Sequence, residues 1–423
     1  MTAIFYAADT PPIAAIIFCA LILVYFCAAP SRTRKKYPEI YPLYDGSRLL
    51  SAYQVGIVFH ILAFILLITF FKISTGQILF FIGTAILADI AVTFAGSVRI
   101  IIKCTQLSFA AKLTLALMWG IPLLNIFAVK KAKKTAWQEF DREAARFELD
   151  NTRAENEICK TKYPILLVHG IFFRDLNFFN YWGRIPKELI KNGATVYYGN
   201  QRSSASVEEC GLELKNRIDE IVNLTGCEKV NIIAHSKGGL DSRYAASLPG
   251  MSDKIASITT INTPHKGCEY ADFLIERAPK AFLSFIASKY DSALSHLGEK
   301  SPDFAAGVND LTAKKCAERN ANLPSLDGIL CRSVGSYMKN TRSAGFPLNM
   351  AYILVSIFSS SPNDGLVDAD SMQWGESFTL FKPSTNRGIS HGDMIDLFRE
   401  DISGFDVREE YVKLVSDLKS CGL

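Results

Sequence analysis

The sequence predicts an α/β fold: a mainly parallel sheet flanked by helices, preceded by an α-helical transmembrane region of about four spans. Three observations carry this. Long apolar segments crowd the first 129 of the 423 residues. From Tyr163 onward, short apolar runs alternate with amphipathic stretches. Residues 231–244, "NIIAHSKGGLDSRY", join an apolar run to a helix-forming run through one serine and two glycines.

The apolar segments run about Ile13–Ala29, Tyr53–Phe71, Ile78–Val98 and Leu107–Val129. Each approaches the ~20 residues needed to cross a hydrocarbon core. No basic region precedes the first segment. The positive cluster Arg32, Arg34, Lys35 and Lys36 follows it, as in a membrane anchor rather than a signal peptide. Asp89 falls inside the third span and is read as a helix-packing or interfacial residue, because no charged partner sits at its depth. Positive residues in the first and third loops put the N-terminus and the C-terminal domain outside. Lys130, Lys131, Lys133 and Lys134 argue for the opposite side if the fourth segment does not cross.

Residues 1–129 are thus the transmembrane helical region, 130–160 a charged linker helix and 161–423 the α/β domain. Trp137, Phe140, Ala144 and Phe147 fall near one face of the linker helix. That face either lies on lipid headgroups or packs on the next domain. A net charge of +4 gives no basis for nucleic-acid binding. The ten cysteines contain no Cys-x-x-Cys pair, which argues against a zinc site and a disulfide framework. A single Cys316–Cys331 bridge is left open.

In the α/β domain "YPILLVHG" reads as a buried strand ending in glycine. "ATVYYG" (194–199) is a second strand. Residues 206–225 form a helix whose apolar face holds Val207, Cys210, Leu214, Ile218, Ile221 and Val222, and Gly226 ends it. "KVNIIA" (229–234) is a third strand, followed by a helix at about Lys237–Ser247. "IASITTINTP" (255–264) is a fourth, and "AYILVSIF" is read as a further strand before the segment "SSPNDGLVDADSMQWG".

The strand–turn–helix at 231–244 can raise a serine hydroxyl above a sheet edge as a nucleophile. It can equally be an ordinary glycine-bearing turn. Ala234-His235-Ser236-Lys237-Gly238 departs from Gly-x-Ser-x-Gly only at its first, still small, residue. A serine nucleophile needs a base, and histidine is the usual one. His60 lies in an apolar span, His169 ends the first strand, and His235, beside the serine, points elsewhere. Of the three that follow, His265, His296 and His391, the last is best placed, in the loop "NRGISHGDMID" near the domain's end. The acid that orients it is Asp364, in the turn Asn-Asp-Gly, with Asp368 and Asp370 as rivals. Backbone donors for an oxyanion come from Lys237, after the nucleophile, and from Ile171, after Gly170.

"YPILLVHGIFF", "NIIAHSKGGLDSRY", "ITTINTPHKGCEYADF", "NDGLV" and "GISHGD" together resemble the bacterial triacylglycerol lipases of the α/β-hydrolase fold, over about residues 160–400. The resemblance implies a triad of Ser236, Asp364 and His391, with Ile171 and Lys237 at the oxyanion. It implies a serine hydrolase of lipid esters. The apolar segments lie outside the resemblance; with the loop charges they lead us to expect an enzyme anchored in a bacterial cell membrane, with the domain extracytoplasmic. Some of these lipases hold calcium through an aspartate two residues after the catalytic histidine, which Asp393 matches. Residues 328–363 contain no acid for the second ligand, so no metal or other cofactor is expected. The segment after "TPHKG" (271–300) corresponds to a lid, with Phe282, Leu283, Phe285 and Ile286 close together; an ordinary core helix is the alternative. The expected partners are a lipid ester and the bilayer, with no obligate protein partner. A phospholipase or acyltransferase keeps the same chemistry. A silent membrane receptor or scaffold on a hydrolase shell is the alternative from another class.

Overall fold

The structure is a computed structural model describing residues 12–28, 32–121, 123–171, 180–296 and 302–423. The chain divides into two compact units, Met1–Asn151 and Thr152–Leu423.

The first unit is helical: α1 (Pro12–Ala28), α2 (Arg32–Lys36), α3 (Tyr41–Phe70), α4 (Thr75–Lys103), α5 (Phe109–Met118) and α6 (Ile126–Arg153), whose last turn crosses the division. Among the described residues two helices, α3 and α4, are long and apolar enough to cross a membrane. In their most apolar stretches only 6% and 11% of the residues are buried, which sets them apart from the core helices of a soluble protein. The described residues thus show two candidate spans where four were expected. The fourth segment is interrupted: α5 stops after ten residues, just before Gly120-Ile121-Pro122, where proline removes a backbone donor.

Asp89 does have a partner. His60 Nδ1 lies 3.3 Å from Asp89 Oδ2, between α3 and α4. Two polar residues from different helices meet where the sequence showed each of them alone. The aromatic face of α6 is also taken. Phe140 and Phe147 pack edge-on to Tyr37 at 5.6 and 5.4 Å, and Trp137 lies 5.5 Å from Tyr44.

The second unit is built on β1 (Ile165–Val168), β2 (Val196–Tyr198), β3 (Val230–His235), β4 (Ile255–Ile261), β5 (Leu330–Ser336) and β6 (Ser377–Phe381). The strands pair in the order β2-β1-β3-β4-β5-β6, all parallel. Between them lie α7 (Ile185–Lys191), α8 (Val207–Thr225), α9 (Lys237–Ser247), α10 (Glu269–Arg277), α11 (Lys280–His296), α12 (Phe304–Asn309), α13 (Ala313–Asn322), α14 (Leu348–Phe358) and α15 (Ala369–Met372), with α16 (Val407–Ser420) last.

Both faces of the sheet's centre are covered, so β1, β3 and β4 are buried throughout and read as largely apolar runs. Ile165, Leu167, Ile233 and Ile261 point to one side, against α7 and α16. Leu166, Val168, Ile232 and Ile258 point to the other, against α8 and Ala245 of α9. The helix expected at 206–225 is α8: Ser206 caps its N-terminus, and Gly226 ends it at φ +69°. "AYILVSIF" is helix α14, not a strand. Its apolar run satisfies either reading by composition, and the structure leaves Met350, Ile353 and Ile357 exposed. The strands that flank it, β5 and β6, carry too many polar residues (Arg332, Ser333, Ser336, Thr379) to show as apolar runs. Cys316 and Cys331 are free thiols, so the bridge left open is not made.

Candidate active site

Because all strands run parallel, their C-terminal ends gather at one edge of the sheet, where loops converge. β3 delivers Ser236 there. Its backbone sits at φ +55°, ψ −132°, a conformation rare for a residue with a side chain, and the next residue opens α9. This turn is tight enough to need the glycines. A Cβ on Gly238 would stand 2.3 Å from the His169 carbonyl oxygen, and one on Gly239 would stand 2.1 Å from Thr263 Oγ1. Ser236 N–H donates to the Ile261 carbonyl at 2.9 Å, which ties the turn to β4.

Asp364 and His391 come together as the sequence order suggests. His391 Nδ1 lies 2.6 Å from Asp364 Oδ2, and the His391 N–H donates to the Asp364 carbonyl at 2.9 Å. Asp364 is fully buried and its charge is well served. Oδ1 accepts from the Leu366 and Val367 amides, both at 2.8 Å. Oδ2 also accepts from Asn262 Nδ2 at 2.6 Å. Asn262, just after β4, binds Ser336 Oγ as well, at 2.8 Å. The sequence offered no sign of that bridge; it read residues 255–264 through Pro264 as one strand, whereas β4 ends at Ile261. The rival Asp368 caps α15 instead, accepting from Ser371 N at 3.1 Å. Asp370 is exposed in the same helix.

The path to the acid is indirect. β5 ends at Ser336, and the chain makes an excursion through α14 before Asp364. The excursion is pinched at its base, where Met338 N–H donates to the Asn363 carbonyl at 2.8 Å.

The His391 ring lies 4.4 Å, centre to centre, from His235, the residue before Ser236. His235 is fully buried, and burial, then the nearby His391, hold its pKa well below the usual histidine range. It is thus a neutral packing residue, held at Nδ1 by the Tyr181 hydroxyl at 2.7 Å. The same hydroxyl accepts from the Gly170 N–H at 3.0 Å. Tyr181 therefore links the first loop to the serine turn, a role that sequence reasoning missed. A Cβ on Gly170 would lie 2.8 Å from Ser236 Cβ, so this backbone approaches the serine closely. Ile171 follows it and is buried. His169 braces the loop, with Nε2 3.0 Å from the Gln201 carbonyl.

Lys237 is unusual for a residue that opens a helix beside a nucleophile. Its side chain is fully buried, and Nζ meets Asp241 Oδ1 at 2.8 Å and Cys210 Sγ at 3.3 Å. Burial opposes its charge, but the Asp241 carboxylate outweighs that and keeps the ammonium protonated.

Asp393 does not stand ready for calcium. Arg387 places Nη1 and Nη2 3.2 Å from the two Asp393 oxygens. Ser390 N and Oγ both donate to Asp393 Oδ2 at 2.8 Å. A guanidinium already occupies the place where a cation would bind, and the donor set does not fit a metal. Of the apolar residues assigned to a lid, the side chains of Phe282, Leu283 and Ile286 lie outside the described residues; Phe285, on α11, is exposed.

Residues 163–330 match the profile described as the alpha/beta hydrolase fold. A triacylglycerol lipase of Burkholderia plantarii is 34% identical over 184 residues, 41% of this chain and 51% of that one. One from Vibrio cholerae is 31% identical over 238 residues, 51% of this chain and 76% of that protein. The chain thus spans about half the length of the Burkholderia relative and three quarters of the Vibrio one. The solved Staphylococcus hyicus lipase aligns with a TM-score of 0.48 at 16% identity, over 62% of this chain and 97% of that one, too loosely to add to the sequence match. With the serine turn, the buried acid and the histidine in this order on a parallel sheet, the chain belongs to the lipase-like family of α/β-hydrolases.

Proposed function

We propose that the protein is a serine ester hydrolase acting on lipid esters, held at a membrane by its apolar helices. The observation that carries the reading is the 2.6 Å contact of His391 Nδ1 with the buried Asp364 carboxylate, beside the strained turn at Ser236. Asp364 fixes the tautomer, so the free Nε2 of His391 acts as base. Ser236 Oγ gives its proton to that nitrogen and attacks the ester carbonyl. The oxyanion is held by the N–H groups of Ile171 and Lys237. His391 then protonates the leaving alcohol, and water, deprotonated the same way, releases the acid and regenerates Ser236. The membrane part of the reading is supported by the exposed apolar surface of α3 and α4.

A fluorophosphonate probe tests the assignment without a known substrate. The full chain should label, and Ser236→Ala should neither label nor hydrolyse a p-nitrophenyl ester. Labelling that persists in the variant places the reactive group elsewhere.

A further inference from the structure

Away from the serine, among the described residues, a buried cation sits without a carboxylate partner. Arg243, in the middle of α9, is only 8% exposed. Its Nη1 donates to His265 Nδ1 at 3.1 Å, and its guanidinium carbon lies 5.0 Å from the centre of the Trp374 ring. His265 hydrogen-bonds through Nε2 with Thr260 Oγ1 at 2.9 Å. Burial, then the Arg243 charge, hold the His265 pKa well below its usual range, so the ring is neutral. Neither partner of Arg243 is negative, and among the described residues no carboxylate acts on it. Burial draws its own pKa down to about 10, still well above neutral pH. A guanidinium that stays charged in a buried position calls for an anion.

Arg243 lines a cavity of about 470 Å³, within the usual size of small-molecule sites. The remaining walls come from the loop before β5 and the turn before β6. These strand starts lie at the opposite edge of the sheet from the strand ends that carry Ser236. Leu326, Ile329 and Trp374 give the cavity an apolar wall. Asp327 and Glu376, both exposed, also line it, and their charge disfavours a dianion.

We propose that this cavity binds a small monocarboxylate, with its head on Arg243 and its hydrocarbon tail against Leu326, Ile329 and Trp374. The planar guanidinium matches a carboxylate in shape and charge. His265 and Trp374 hold the guanidinium in place, leaving its other N–H groups for the ligand. The acids released by ester hydrolysis belong to this class, but the recognition does not depend on that reaction.

Titration calorimetry with the full chain in lipid nanodiscs, against empty nanodiscs, tests this with hexanoate, hexanol and inorganic phosphate. Hexanoate should bind at one site, at least tenfold more tightly than either of the others. Arg243→Gln and Ser325→Trp should each weaken it at least tenfold. Ser325 is exposed on the cavity wall, so its variant blocks the cavity without disturbing the core and stays informative if Arg243→Gln fails to fold. Ser236→Ala should bind hexanoate as wild type does, which separates this site from the catalytic serine. The proposal is overturned if hexanoate ignores Ser325→Trp, if hexanol or phosphate binds as tightly, or if Ser236→Ala alone loses it.

Discussion

Asp364 shows how much a single carboxylate can be asked to do. Two backbone amides, Asn262 and His391 surround it, so its charge is fixed in place before any substrate arrives. Asp364→Asn keeps the shape but loses the charge, and the histidine loses its tautomer. We expect kcat for a soluble ester to fall by about 10³–10⁴-fold, as in related triads. Asp368→Asn should cost little, because that side chain serves only a helix cap; steady-state kinetics on both variants decide between them. Two buried histidines, His235 beside the serine turn and His265 beside Arg243, make stability depend on pH. His235 and His265 are held neutral when folded and titrate near 6.5 when unfolded. Below about pH 6.5 the unfolded chain takes up protons that the folded one refuses, so stability is full above that value and falls beneath it. Each histidine contributes up to about 1.4 kcal/mol per pH unit. Urea midpoints at pH 7.5, 6.5 and 5.5 read this loss, partly offset by buried Asp241, whose carboxyl burial pushes up to about 7, and His265→Asn should show a shallower acid drop than wild type. An unchanged slope in that variant would mean His265 takes no part.

At the scale of elements, the loop that carries His391 is held by charge. Arg387 clamps Asp393 with both nitrogens and reaches Glu400 Oε2 at 2.8 Å, while Ser390 closes the other side. Arg387→Ala should lower kcat about tenfold with little change in KM, since the loop positions the base rather than the substrate. Arg387→Lys should recover part of the loss; a variant as active as wild type would show the clamp to be dispensable. The sequence made Asp393 legible but not its partner, because "NRGISHGD" gives no hint that the arginine folds back six residues on. The strands β1, β3 and β4 were legible for the opposite reason: burial on both faces writes itself as a largely apolar run, while half-buried β2 at the edge showed through its short aromatic and β-branched stretch. β5 and β6 lie toward the sheet's edge with polar residues among their apolar ones, and so escaped notice. α14 was misread because seven apolar residues broken only by Ser356 carry no clear period. The serine turn was legible because a turn this tight tolerates so few residue types.

At the scale of the molecule, the proposed division of labour can be separated by deletion. Removing residues 1–129 should leave hydrolysis of a soluble short-chain ester within about twofold at equal amounts of folded protein. Hydrolysis of lipid in vesicles should fall at least tenfold, because the helices supply local concentration and no chemistry. Equal activity on vesicles would show that the helices do not serve catalysis at a surface. Loss of both activities would make them part of the fold of the active site. Membrane spans were the least legible feature of the sequence, since apolar length alone cannot distinguish a continuous helix from α5 and the break that follows it. The hydrogen bond that pinches Met338 to Asn363 bears on how such a molecule could change over generations. It closes a neck beside Asp364, the proposed acid, so that residue is anchored by the backbone at the base of the excursion. Loop-closure entropy rises only with the logarithm of length. Residues 345–361 are therefore an exchangeable cartridge: lineages, or an engineer, could shorten, lengthen or replace them to suit a new substrate while inheriting the reaction intact.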